Sequence, residues 1–357
     1  MRISDILKKG KEPSQADDHK AAAAQCAAAI DKPESRSAPS AVHNQPDIPV
    51  VRISDMIADS VLSEPDTVKL YEESLSLAGE VIREDSDYRS IDAVKLADTV
   101  ARISQQITLG NELLLLLAFT RNSVPTNYLL CHSLNVCIYA LRIGLGLNYD
   151  KKQLLELGVS AFLHDIGMAK YLYLASQPRK LSDEEFTQIK KHPSLGAEAV
   201  AYLKDFGKDA AMACSQHHER LDGSGYPAGL KGDVVSDYSK IVSIVDVYEA
   251  MTHKRAYRQR FLSLETVQVI LDAKNKFDQR LIKLLIDWVG IFPVGSMVKI
   301  SSRETAQVIK INLGVPLRPV VRITQDAEGR KPPSEKIFDL SSHPTVYVKG
   351  EERFVDT

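Results

Sequence analysis

The residues best suited to chemistry in this chain are histidines and aspartates that recur in short runs between residues 132 and 246. The candidate set is His132, His164, Asp165, His192, His217, His218 and Asp246. Imidazole and carboxylate ligands together suit Fe, Mn, Zn or Ni, and a set without cysteine argues against a structural zinc site. Two such metals about 4 Å apart can activate a water and hold a phosphoryl group during in-line displacement. These residue types therefore predict a metal site for phosphoryl chemistry.

Taken singly, these residues have simpler explanations. His132 fits a hydrogen-bonded position in a helix core, and the pair His164-Asp165 fits the C-terminal cap of a helix. Asp246 is more informative because it interrupts an apolar run, and a buried carboxylate is costly unless it is paired or binds a metal. A common metal site accounts for the whole set at once. His253, which lies outside the set, is expected at the surface.

A loop with two glycines, a tyrosine and a proline follows the paired imidazoles at residues 217 and 218. Glycine permits backbone conformations with positive φ, and proline stiffens the exit from a turn. We therefore expect residues 217–227 to form a tight, reproducible loop that begins at two metal ligands.

Helices are expected to position this set, because apolar residues recur at helical spacing through residues 126–290. Ser182 and the glutamate three residues later have the signature of a capping box, so a helix begins there. That helix is expected to end at His192-Pro193, since the residue before a proline avoids the α conformation. Asp246 is expected within a helix and His217 at the end of one. The other predicted helices cover 128–147, 154–163, 241–252, 264–274 and 278–289.

The flanking segments differ in pattern from this helical region. Residues 1–48 lack sustained apolar periodicity and are expected to be disordered or of low complexity. Residues 49–122 have helical spacing but no ligand cluster, which predicts an N-terminal helical region for packing or dimerisation. Residues 123–292 form the predicted metal-binding domain. Residues 293–357 form a small β-rich appendix, with strands near 297–300, 308–311, 319–323 and 345–348, that packs on the helices.

Composition excludes several classes of protein. The 357 residues are 44% hydrophobic and 26% charged, which is typical of globular proteins. A net charge of −2 argues against binding to nucleic-acid polymers or to anionic membranes. The most apolar run, 113–119, is far shorter than the ~20 residues of a membrane-spanning helix, and the N-terminus lacks an apolar signal region. We therefore expect a cytoplasmic protein.

The motifs resemble those of the HD-GYP family, a branch of the HD-domain phosphohydrolase superfamily. His164-Asp165 is similar to the HD signature of this family, and Gly225-Tyr226-Pro227 is similar to its GYP signature. The likeness covers residues 126–290, and its long motifs follow the family order. It implies a mainly α fold, namely an HD-type helical bundle with an N-terminal helical segment and a small C-terminal β appendix.

The resemblance implies a phosphodiesterase that hydrolyses the bacterial second messenger cyclic di-GMP to pGpG, GMP or both. It implies two divalent transition-metal ions, with Fe or Mn preferred and Zn or Ni as alternatives. One ion would be held by His132, His164, Asp165 and Asp246, and the other by Asp165, His192, His217 and His218.

Roles in substrate binding and partner contacts also follow from the resemblance. His164 and Asp165 take the catalytic role, while Gly225, Tyr226 and Arg255 contact the substrate. The Arg255 guanidinium is suited to donate to phosphate oxygens. The expected partners are cyclic di-GMP, a second copy of the chain bound through the N-terminal helices, and a diguanylate cyclase domain.

Three positions depart from the family pattern. Met168 replaces a lysine that many members carry after the HD motif, and Lys170 is the candidate substitute. Glu249 stands where an aspartate is usual, and Tyr128 stands where three-metal members carry a glutamate, which favours two metals. Met168 keeps open a second hypothesis, a signalling module that binds cyclic di-GMP with weak or no turnover. A third is a phosphohydrolase that acts on another nucleotide.

Overall fold

Helices make up most of the described chain. The computed structural model describes residues 65–83, 91–121, 128–255 and 258–352, all within the compact unit 45–357. The segment 1–48, predicted to be disordered, lies outside the described residues. The α-helices are α1 Pro65–Val81, α2 Ala93–Thr108, α3 Leu113–Thr120, α4 Tyr128–Gly146, α5 Lys151–Leu163, α6 Leu172–Ala175, α7 Asp183–Ile189, α8 His192–Val200, α9 Gly207–Gln216, α10 Asp237–Thr252, α11 Ser263–Asp272 and α12 Gln279–Trp288. Short 3-10 helices cover Ile166–Tyr171, Gly232–Val234 and Lys274–Lys276.

Helix α4 lies at the centre of the bundle. It contacts α1, α2, α3, α5, α10 and α12, and most of its residues are buried. A helix that is apolar on all sides is stable inside a protein core or inside a membrane. Among the described residues it is the one helix long and apolar enough to cross a membrane, and 83% of that apolar window is buried within the fold. The surrounding helices therefore account for its composition.

Helix α7 has the predicted beginning but not the predicted end. The Ser182 hydroxyl accepts a hydrogen bond from the Glu185 backbone N–H, and the Glu185 side chain accepts one from the Ser182 N–H, so the capping box is confirmed. The helix ends at Ile189, and His192 is instead the first residue of α8, with Pro193 in its first turn. Proline is well tolerated there because the first helical N–H groups have no intrahelical acceptor. The expectation that His192 ends a helix is therefore wrong.

A five-stranded antiparallel sheet follows the helices. Its strands are β1 Met297–Ile300, β2 Thr305–Lys310, β3 Val320–Gln325, β4 Ile337–Asp339 and β5 Val348–Glu351, in the order β4-β3-β2-β1-β5. Strand β4 is absent from the sequence prediction, and β5 begins three residues later than the predicted 345. The mainly α fold with a small C-terminal sheet is confirmed.

The sheet packs directly on the helical bundle, as expected. Gly295, at the entry to β1, has φ +99° and lies against α3. A Cβ at this position would lie 2.9 Å from side-chain carbons of Leu116 and Thr120. The chain therefore needs glycine here both for its backbone conformation and for this close approach.

Candidate metal centre

The predicted ligand residues lie on α4 and on several other elements, which meet at one place in the fold. Helix ends supply most of them, and the middles of two helices supply the rest. His132 lies in α4, His164 caps α5 and Asp165 follows it, His192 begins α8, His217 caps α9 and His218 follows it, and Asp246 lies in α10.

Asp165 lies between different imidazoles of the cluster. Its Oδ2 is 3.9 Å from Nε2 of His132, whereas its Oδ1 is 3.1 Å from Nε2 of His192 and 3.8 Å from Nε2 of His217. Nε2 of His132 is also 3.2 Å from Oδ1 of Asp246. The two oxygens of one carboxylate therefore face separate parts of the ligand set.

Overlapping groups of ligand atoms connect the whole set. Nδ1 of His218 is 3.9 Å from Oδ2 of Asp246. Within each group the ligand atoms lie within 4.8 Å of one another. The groups are His132, His164 and Asp246; His164, Asp165 and His217; and His192, His217 and His218. The structure therefore brings every predicted ligand residue into one cluster.

Three of the imidazoles lie just beyond helix C-termini, and this position fixes their orientation. Nδ1 of His164, His192 and His217 lies 2.7, 2.7 and 2.8 Å from the carbonyl oxygen three residues earlier. Carbonyl groups in the last turn of a helix lack intrahelical donors, so these oxygens assign the ring hydrogen to Nδ1. Each Nε2 then carries a lone pair directed at the cluster. For His164, the helix-cap and metal-ligand interpretations are therefore compatible.

Several lone-pair atoms in the cluster are buried without a hydrogen bond. In the described part of the chain these are Nε2 of His164, Oδ1 of Asp165 and Nδ1 of His218. An unpaired buried polar atom costs about 1–3 kcal/mol. Each of these atoms can serve as a ligand to a divalent cation, so the donor set fits a metal, and a metal would remove this cost.

Burial keeps three of the imidazoles neutral, whereas neighbouring imidazoles keep the Asp165 carboxylate ionised. Burial and neighbouring imidazoles lower the pKa of His217 to about 3, and burial lowers the pKa of His164 and of His218. Burial opposes ionisation of Asp165, but His192, together with His164 and His217, outweighs it and holds the pKa of that carboxyl well below its usual range. Neutral imidazoles beside an ionised carboxylate are ready to accept a metal.

A buried carboxylate orients His132 from the side away from the cluster. Oε2 of Glu249 is 2.5 Å from Nδ1 of His132, and Nδ2 of Asn135 donates to Oε1 of Glu249 at 3.0 Å. Burial lowers the pKa of His132, but the Glu249 and Asp246 carboxylates outweigh it and raise that pKa to about 10. A metal bound at Nε2 must therefore displace a proton. Glu249, which stands where the resemblance implies an aspartate, is therefore in position to hold the His132 imidazole.

The expectation that His253 lies at the surface is wrong. The residue is only 6% exposed, and its Nε2 is 2.8 Å from the carbonyl oxygen of Ala118. Its Nδ1 is 3.0 Å from the carbonyl oxygen of Glu249. The imidazole therefore links the end of α10 to α3. The sequence does not reveal this contact, because Ala118 lies 135 residues away along the chain.

Close backbone contacts shape the glycine loop. A Cβ on Gly225 would lie 2.4 Å from the backbone nitrogen of Arg220 and 2.5 Å from the carbonyl oxygen of His218, so only glycine fits. Gly223 instead has φ +84°, which favours glycine for conformational reasons. The buried carboxylate of Glu219 accepts two backbone N–H groups from the far side of the loop, at 2.7 and 2.9 Å. This anchoring residue was not identified from the sequence.

Tyr226 lies directly against the ligand cluster. Its ring stacks on His218, with centroids 4.7 Å apart and planes inclined by 26°. Nζ of Lys190 lies 5.0 Å from the centre of the Tyr226 ring. In the described part of the chain Lys190 forms no ion pair, and its contacts are with aromatic rings. The sequence interpretation did not include Lys190, because only the folded loop brings Tyr226 to it.

Arg255 lies beside His132. Its guanidinium donates to Oε2 of Glu249 at 3.4 Å, and the guanidinium carbon lies 4.7 Å from the centre of the Tyr128 ring.

The two residues singled out after the His-Asp motif differ in exposure. Met168, which stands where the resemblance implies a lysine, is buried, whereas Lys170, the candidate substitute, is exposed.

A family match now identifies the helical part. Residues 111–281 match the model described as the HD domain. Residues 111–281 therefore form an HD domain. This confirms the resemblance drawn from the His-Asp motif, and the HD domain contains every residue of the ligand cluster. Residues 297–353 match a KOW domain that is associated with HD domains.

Several proteins similar to this chain are named phosphodiesterases. A cyclic di-GMP phosphodiesterase of Pseudomonas aeruginosa is 29% identical over 71% of this chain and 61% of its own length. One of Borreliella burgdorferi is 30% identical over 56% of this chain and 52% of its own length. A 3'3'-cGAMP-specific phosphodiesterase of Vibrio cholerae is 36% identical over 36% of this chain and 29% of its own length. The chain thus spans between about half and two thirds of the first two relatives.

Proposed function

We propose that this protein hydrolyses cyclic di-GMP to pGpG, GMP or both at a site for two divalent metal ions, Fe or Mn before Zn or Ni. The strongest support is Asp165, whose two oxygens face different imidazoles. A carboxylate placed in this way can bridge two cations. His132, His164 and Asp246 would complete one ligand set, and His192, His217 and His218 the other.

The residues around the cluster suit the binding of a phosphodiester. Bound divalent cations supply Lewis acidity toward a phosphate oxygen. Arg255, already held beside His132, would donate to the non-bridging oxygens through a planar and permanently charged group. Tyr226 would present its ring to the substrate, and Gly225 allows the backbone to bring that ring to the cluster. His164 and Asp165 would act by holding the ions that contact the reacting phosphate.

The relatives support the choice of substrate. The names of the first two specify cyclic di-GMP. A second candidate is another cyclic dinucleotide, which the cGAMP-specific relative supports. A third is binding of cyclic di-GMP without turnover. This is supported by Met168, a buried thioether where many members of the family carry a lysine. The homodimer and the diguanylate cyclase partner stay predictions.

The proposal is tested on protein loaded with Mn²⁺ or Fe²⁺. We expect the unaltered protein to convert cyclic di-GMP to pGpG or GMP, as resolved by chromatography. Asp246→Asn should lose a metal ion by elemental analysis. Its turnover should fall by more than the roughly 100-fold that the loss of an outer partner of a ligand can cost. Asp237→Asn is the matched control, because it makes the same change at an exposed site on α10.

The outcomes separate the candidates. Binding of cyclic di-GMP without product under Fe, Mn, Zn and Ni would replace the proposal with the binding module. Faster turnover of 3',3'-cGAMP than of cyclic di-GMP would replace it with the second candidate. Full metal retention in Asp246→Asn would remove the ligand assignment.

A further inference from the structure

A chain of buried hydrogen bonds runs from α1 to the ligand cluster. The Tyr71 hydroxyl donates to Oδ1 of Asn135 at 3.0 Å, and Nδ2 of Asn135 donates to Oε1 of Glu249 at 3.0 Å. Oε2 of Glu249 then accepts from Nδ1 of His132. All four residues are buried, at 2% exposure or less. Tyr71 lies outside residues 111–281, which match the HD domain.

The chemistry of the groups fixes the direction of this chain. An ionised carboxylate only accepts hydrogen bonds, so Asn135 must present its NH₂ group to Glu249. Its carbonyl oxygen therefore faces Tyr71, whose hydroxyl must donate. Without that hydroxyl, Oδ1 of Asn135 would be buried without a donor. A rotated amide would place that oxygen against the carboxylate. The Tyr71 hydroxyl therefore holds the amide in the orientation that supports Glu249.

We propose that Tyr71 is a positioning residue for the metal centre, acting through Asn135 and Glu249 on His132. Partners that hold the second nitrogen of a ligating imidazole fix its tautomer and the direction of its ring. A helix outside the matched HD domain thereby contributes to metal affinity. This inference rests on the proposed metal site, and its test needs no substrate.

The test is Tyr71→Phe, which removes one oxygen and keeps the ring. Metal affinity is measured by titrating Mn²⁺ or Zn²⁺ into the full chain against a competing chelator. We expect about 10-fold weaker binding, the lower end of the effect of outer partners of metal ligands. Tyr139→Phe is the matched control. Tyr139 is also fully buried, and its hydroxyl makes no hydrogen bond within the described residues. Equal affinities of the two variants would overturn the inference.

A double mutant separates positioning from a general loss of stability. If Tyr71 acts through Glu249, then Tyr71→Phe should weaken metal binding in the unaltered chain and have no further effect in a Glu249→Gln background. A purely structural role would lower the melting temperature of the metal-free protein in both backgrounds and leave the metal affinity unchanged, which overturns the inference. Failure of the unaltered protein to bind metal would instead overturn the proposed function, and this inference with it.

Discussion

A histidine placed just beyond a helix C-terminus serves the helix and the cluster at the same time. Its Nδ1 donates to a carbonyl that the helix leaves unpaired, and its Nε2 is left bare. His164, His192 and His217 all use this arrangement. Because the acceptor belongs to the same turn, the ring direction is set locally and does not depend on distant packing. The cluster therefore obtains three oriented ligands from helix ends alone.

Lys190 provides a residue-scale prediction about substrate binding. Its ammonium lies against Tyr226, which stacks on His218, so we expect it to contact an anion held at the cluster. A charged hydrogen bond contributes about 1.5–3 kcal/mol, so Lys190→Met should raise KM for cyclic di-GMP roughly 10-fold or more while kcat changes less. Steady-state kinetics of the metal-loaded protein measures both constants.

Lys191→Met is the control for that experiment, because it removes the same charge from the exposed neighbouring residue. Its KM should stay close to that of the unaltered protein. A shared rise in KM would mean that general electrostatic attraction, rather than a contact at Tyr226, is responsible.

The residues of the cluster could be predicted from sequence, whereas their supporting partners could not. Imidazoles and carboxylates are uncommon inside apolar helices, so Asp246 in an apolar run already indicates a ligand. Asn135 has no such signal. The role of Asn135 depends on its hydrogen bond to Glu249, 114 residues away, and that pairing is decided by how α4 packs on α10. His253 was misplaced for the same reason.

At the scale of elements, the sequence indicated most helices because their apolar spacing and caps are local. It failed at the start of α8, since the rule for residues before proline does not distinguish the end of one helix from the first turn of the next. It also missed β4, a strand of only three residues, none of which is buried. Short edge strands are defined by their neighbours in the sheet, which the local pattern does not contain.

The contact between the 3-10 helix Ile166–Tyr171 and α8 supplies an element-scale prediction. A Cβ on Gly167 would lie 2.1 Å from the carbonyl oxygen of His192 and 2.7 Å from the backbone nitrogen of Gly196. Gly167→Ala must therefore push α8, and with it His192, away from Asp165. Overpacking costs about 1–3 kcal/mol, so we expect the melting temperature to fall by about 3–10 °C, with weaker metal binding.

Calorimetry and metal titration check both effects of Gly167→Ala. Gly350→Ala is the control, because a Cβ there meets no atom within 4 Å. Unchanged metal affinity in Gly167→Ala would show that the close approach of these elements is not needed to place His192.

At the scale of the whole molecule, two parts outside the core of the HD domain contact it through hydrogen bonds, made by the buried Tyr71 and the partly buried Glu351. Tyr71 on α1 donates to Asn135, which is linked to His132 through Glu249, and Glu351 on β5 contacts the beginning of α11. Oε2 of Glu351 accepts the Ser263 backbone N–H at 2.8 Å. Both contacts join residues that are distant in sequence, so neither follows from local patterns. The domain limits 49–122, 123–292 and 293–357 stay predictions.

Glu351 is expected to make the attachment of the sheet sensitive to pH. Burial raises the pKa of Glu351 from its ordinary value of 4.5 to about 7, against the opposing effects of Arg260 and the Ser263 hydrogen bonds. Between these values the folded protein retains a proton that the unfolded chain has released. The stabilisation is therefore complete below pH 4.5 and is lost as the pH rises through 7.

Glu351→Gln, which cannot ionise, tests this pH dependence. Its free energy of unfolding relative to that of the unaltered protein should rise from pH 5 onward and reach a gain of up to about 3 kcal/mol by pH 8. Urea unfolding of both proteins, with Glu352→Gln as the neighbouring control, measures this difference. A loss of relative stability in Glu351→Gln at pH 8 would mean that the ionised carboxylate, acting as a cap for α11, is the stabilising form.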